Sequence, residues 1–66
     1  MKVELQSKCT ATHEWVSMAQ FSLASLAADA AMHLSVSLGN PFRIIDRRWP
    51  EDGELVTVYE NGKPVA

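Results

Sequence analysis

The sequence predicts a small α+β domain of order β-α-β-β, a three-stranded sheet with one long helix packed on one face. Three observations predict it. Residues 2–15 alternate with period two, residues 16–38 form an alanine- and serine-rich run between helix start and stop signals, and residues 42–59 return to β-formers broken by a turn. Alternation marks a strand with one buried face, and 3-4 spacing of apolar positions marks an amphipathic helix. One helix laid across a small sheet is the smallest two-layer arrangement that buries both.

In the first stretch the even positions are all polar, from Lys2 and Glu4 to Glu14, while the odd ones include Val3, Leu5, Cys9, Ala11 and Trp15. Fourteen residues is long for one strand, whose usual length is about 5–6. Three readings stay open: a bent strand, a strand over 2–9 followed by linker, or a helix that starts early at Thr10 or Thr12.

The helix is expected over residues 18–38. Ser17 and Gln20 have capping-box spacing, and Val16 and Phe21 flank them as a hydrophobic staple. Gly39 can adopt the left-handed conformation that ends a helix, and Pro41 cannot continue it. On the helical wheel Leu23, Leu26, Ala27, Ala30 and Leu34 form the core stripe, widened by Ala24, Ala28 and Ala31. Ser22, Ser25, Asp29, His33 and Ser37 form a polar stripe opposite.

Phe42 to Trp49 reads as the second strand and Leu55 to Tyr59 as the third, joined by a turn at Pro50-Glu51-Asp52-Gly53. If the first two strands are parallel, their crossover should be right-handed. Asn61-Gly62 carries the signal of a type I′ turn. With only Lys63 to Ala66 to follow, and Pro64 among them, the end is a tail or a very short edge.

Sixty-six residues make a single domain. A chain of this size buries only about 60% of the surface its unfolded form exposes, so homodimerisation through exposed parts of the apolar helix would add needed stability. Cys9 is the only cysteine, which rules out an intramolecular disulfide. A formal charge of −2 announces neither a nucleic-acid binder nor an acidic mimic. Asp29, His33, Gln20 and the serines sit inside the apolar run and argue against a membrane span. Glu4 and Glu14 argue against a basic signal-peptide region. The expectation is a cytoplasmic protein.

No catalytic or metal motif stands. Ser25, Asp29 and His33 supply the residue types of a hydrolase triad, but on one helix Ser25 and His33 lie about 12 Å apart along the axis. Their ordinary role is a solvated helix face. Cys9 and His13 are about 13 Å apart if extended, and no further ligands complete a site. Glu51, Asp52 and Glu54 cluster at an exposed turn, with no pocket to shift a carboxyl pKa. No cofactor is expected.

The candidate site is the second strand. Arg43, Arg47 and Trp49 share one side of it with Ile45. One helix leaves the far face of a sheet open, so that side can present guanidiniums beside an indole. Depending on the length of the connecting loop, either Tyr59 and Leu55 or Val56 and Val58 join them. Arg43, Arg47, Trp49 and Tyr59 are therefore the expected partner-binding residues. An arginine/aromatic surface suits a protein interface or stacking on single-stranded nucleic acid. The competing reading has Trp49 closing the core edge and the arginines paired with Glu54 and Glu60.

The run Ala24 to Leu38, Gly39-Asn40-Pro41-Phe42 and the strand Arg43-Ile44-Ile45, about a third of the chain, resembles the helix-to-strand segment of small phage-encoded inhibitors. Anti-CRISPR proteins and phage inhibitors of host RNA polymerase are examples. The resemblance implies a non-enzymatic blocker that occludes a site on a host protein complex. It carries over no functional residue, since that group shares no motif, and the near-neutral charge departs from its acidic DNA mimics. Alternatives are a nucleic-acid-binding module using the same face and a structural protein acting as a homo-oligomer.

Overall fold

The computed structural model describes residues 3–47 and 55–65. Its elements are β1 (Val3–Lys8), β2 (Trp15–Phe21), α1 (Ala24–Ser37), β3 (Phe42–Asp46), β4 (Leu55–Glu60) and β5 (Lys63–Pro64). The fold is α+β with one helix, as the sequence predicts. The sheet is not three-stranded: it has five strands in the order β2-β1-β3-β4-β5, every neighbouring pair antiparallel.

The largest correction lies before the helix. Residues 15–21 form a strand that pairs with β1 from Val3↔Phe21 to Lys8↔Trp15. The helix therefore begins at Ala24 with Leu23 as its N-cap and no side-chain cap. Ser17 and Gln20 belong to β2, so the capping-box spacing at these positions is not used. Trp15, Val16 and Phe21 are strong β-formers, and pairing six residues with an existing strand outweighs one capping interaction. The hairpin loop carries no glycine, proline or asparagine. Instead His13 takes the left-handed conformation at φ 61°, and its N–H donates to the Cys9 carbonyl at 2.7 Å. The Cys9 N–H donates to the Glu14 carbonyl at 2.8 Å.

β1 and β3 are antiparallel, so the condition for a crossover between them is not met. The helix instead connects β2 to β3, which are parallel to each other because each runs antiparallel to the β1 strand between them. A connection of this kind needs a dozen or more residues, and α1 supplies them.

The helix stop is where the sequence places it, with Gly39 at φ 71° just past the Leu38 cap. The Asn61-Gly62 turn is also confirmed, with φ of 53° and 80° as a type I′ turn requires. β5 is the very short edge, pairing Tyr59↔Pro64 and Glu60↔Lys63. The expected turn at Pro50–Gly53 lies outside the described residues.

The core lies between α1 and one face of the sheet: Val3 and Leu5 from β1, Phe42 and Ile44 from β3, Tyr59 from β4, and Ala27 and Ala31 from α1. Leu23 and Leu26, expected in the core stripe, are half exposed. Alanine and serine at positions 27, 31 and 35 face the sheet because their small side chains allow close approach; the leucines fall to the flanks. Buried Ser35 ties the last hairpin to the helix. Its Oγ accepts from the Gly62 N–H at 2.8 Å and donates to the Met32 carbonyl at 3.0 Å. Among the described residues no helix is long and apolar enough to cross a membrane.

Candidate partner-binding surface

Register decides which residues share the face away from the helix. Gln6 lies opposite Arg43, and Arg43 lies opposite Val58. Glu4 lies opposite Ile45, and Ile45 lies opposite Val56. Of the two alternatives left open by the sequence, Val56 and Val58 are the ones that join the Arg43 side.

β2 adds what the sequence reading does not anticipate. Its pairing with β1 slips between Leu5 and Gln6, where Met18 is the extra residue of a β-bulge. Trp15 pairs with Lys8 and so lies on the open face with Ser17, and the bulge shifts the alternation by one between Ser17 and Ala19, so that Gln20 opposite Glu4 lies on that face as well. The Arg43 guanidinium carbon stands 4.5 Å from the centroid of the Trp15 ring, and Lys8 Nζ stands 5.9 Å from it. Both fall within cation–π range.

A chain of polar contacts runs on from this stack. Arg43 Nε donates to Gln6 Oε1 at 2.6 Å, and Gln6 Nε2 donates to Glu4 Oε2 at 3.1 Å. Arg47 Nη1 then meets Glu4 Oε1 at 2.7 Å as an ion pair. The hydrogen bond from Arg47, followed by those from Ser17 and Gln6, lowers the Glu4 pKa from 4.5 to about 2. The carboxylate is thus ionised throughout the neutral range and holds Arg47 over the β1–β3 part of the face. Ile45 is buried on this same face, half-buried Val58 flanks it, and exposed Val56 completes an apolar strip beside the cations.

Of the four expected site residues, Arg43 and Arg47 lie on this face. Trp49 lies outside the described residues. Tyr59 is corrected: it sits on the helix side opposite Phe42, 7% exposed, and belongs to the core. The indole beside Arg43 is that of Trp15, twenty-eight positions away in sequence. A lysine-to-tryptophan pairing across a six-residue loop is the signal for it, hidden because period-two counting along one continuous strand puts positions 8 and 15 on opposite faces, whereas a hairpin returns them as a cross-strand pair.

The other constellations stay apart from this surface. Ser25, Asp29 and His33 are all exposed on the outer face of α1. Cys9 opens the hairpin loop, and hydrogen bonds from the Thr12 side chain and from the backbone N–H groups of Thr12 and Ala11 lower its thiol pKa. Among the described residues no three histidine, cysteine, aspartate or glutamate side chains come together as a metal-binding group.

Fold and surface together define a small α+β sandwich with an arginine/tryptophan stack on the sheet face away from the helix. Compared with known proteins, the chain matches no family model, no curated protein and no solved structure.

Proposed function

We propose that this chain is a small non-enzymatic binding module of the phage- or mobile-element inhibitor kind, which occludes a site on a host protein complex in the host-cell cytoplasm. The observation that carries this reading is the Trp15–Arg43 stack on the helix-free sheet face, beside Val56, Val58 and the Glu4–Arg47 pair. Tryptophan and arginine are the residues most enriched among interface hot spots, and a stacked guanidinium loses little further freedom on binding. Arg43 is fixed by both the indole and the Gln6 amide, so the surface is preorganised. The flanking valines supply the apolar part of the contact.

The test is capture of the partner complex from a lysate of the native host, using wild type and a Trp15→Ala/Arg43→Ala double variant of matched folded content. Loss of at least tenfold in captured partner is expected, since hot-spot truncations typically cost about 2 kcal/mol or more. Equal capture by the folded double variant removes this face from the reading.

A second reading, single-stranded nucleic-acid binding, is favoured by Lys8, Arg43 and Arg47 lying on one face with an indole. The formal charge of −2 works against it. Binding that falls steeply with added salt would support it, and no binding at low salt ends it.

A further inference from the structure

The two ends of the sheet are built differently. On the β4 side the last strand is two residues, Lys63–Pro64, a charge and a proline. Both are devices that discourage another chain from pairing there. On the other side β2 is an edge strand of seven residues, Trp-Val-Ser-Met-Ala-Gln-Phe, with no charge, no proline and no glycine. Val16 is 50% and Met18 53% exposed on it. The bulge at Met18 is the one protective device it carries.

We propose that this edge is a self-association site, at which two copies of the chain pair β2 with β2 antiparallel about a two-fold axis. The two five-stranded sheets then become one of ten strands. Charge pattern points to a second copy as the occupant. A strand that meets itself across a two-fold axis sets every charge near its own kind, and like charges directly opposite are destabilising. β2 has none to set. A charged strand from an unrelated partner would find no complement here.

The bulge restricts the register such a pairing can use. Because of it Trp15 and Ser17 share the open face with Gln20, while Val16 shares the helix side with Ala19 and Phe21. An antiparallel second copy keeps both faces in register when Trp15 lies opposite its Gln20 and Val16 opposite its Ala19. The exposed Val16 then gains an apolar neighbour, and Ser17 and Met18 lie at the axis. The two open faces become one continuous surface carrying two Trp15–Arg43 stacks, so a partner with paired sites would be held bivalently. Pairing also adds buried surface to a chain whose core is small. The helix flank, where exposed Leu26 and Val36 sit, is not part of this contact.

Sedimentation velocity of the full chain over a concentration series tests the proposal, with Met18→Lys and Val16→Lys as edge variants and Val36→Lys as the helix control. Expected is a concentration-dependent dimer for wild type and for Val36→Lys. Self-association should weaken roughly tenfold or more in whichever edge variant keeps its circular-dichroism signature. Amide exchange in β2 should slow as wild-type concentration rises, while that in β4 does not. A wild-type chain still monomeric at about 1 mM overturns the proposal. So does a dimer that survives both folded edge variants but dissolves with Val36→Lys, which would move the contact to the helix. Neither edge variant touches Trp15 or Arg43, so a failure here leaves the partner-binding reading standing.

Discussion

Glu4 shows how one side chain can fix a surface. It is nearly buried on a sheet face, and its carboxylate is held by Arg47, Ser17 and Gln6, with Gln6 also holding Arg43. Its pKa is lowered from 4.5 to about 2, so the folded state favours the ionised form. Stability from this group is fully present above pH 4.5, and it is lost as pH falls through that value toward 2. The Glu4→Gln variant should therefore lose the part of the acid sensitivity in that window that this group carries. Thermal melts at pH 6 and pH 3 check it, the wild-type difference shrinking in the variant. A variant as acid-sensitive as wild type would mean other groups carry the effect. Arg43 can also be tested alone. Lysine keeps the charge but loses the planar stack and the fork of donors, so Arg43→Lys should quench Trp15 fluorescence differently from wild type and weaken partner capture nearly as much as alanine.

At the scale of elements, the two left-handed glycines separate backbone strain from packing. Gly39 ends α1 at φ 71° with nothing within 4 Å of where a Cβ would stand. Gly62 turns β4 into β5 at φ 80°, and there a Cβ would come 2.8 Å from Val36 Cγ2. Gly39→Ala should cost about 1 kcal/mol, the penalty of a left-handed alanine. Gly62→Ala should cost more, roughly 2–3 kcal/mol, because Val36 must also move and the Gly62 N–H bond to buried Ser35 is disturbed. Urea denaturation of both variants orders the two costs, and equal values would refute the packing account. These turns were legible in the sequence because only glycine or asparagine tolerates such φ cheaply. The β1–β2 hairpin was not, because its left-handed position is filled by His13 and no residue in the loop carries a turn signal. The helix start is disguised for a related reason: Ser17 and Gln20 three apart satisfy a capping pattern, yet in a bulged strand the same spacing is ordinary.

For the whole molecule, the separation of the two layers depends on Ala27 and Ala31, both fully buried against the sheet. Ala31→Leu should overpack this contact and cost about 1–3 kcal/mol. A large drop in the urea midpoint with the open-face Trp15 environment unchanged checks it, since the helix moves on one face only. The same layering explains why Tyr59 and Arg43 part company, the tyrosine going to the core and the arginine to the open side. By itself the sequence determined the body of the helix and its stop at Gly39, the β3 and β4 strands, the final type I′ turn, and the placing of Arg43 and Arg47 on a single face. Each of these follows from local rules: side-chain period, helix-ending chemistry and left-handed turn positions. Only the tertiary structure decided that residues 15–21 are a strand, that β1 lies between β2 and β3, and that Trp15 and not Tyr59 stands beside Arg43. Those depend on pairing between distant segments and on a hairpin loop without turn residues, and such registers leave no local trace in the order of residues.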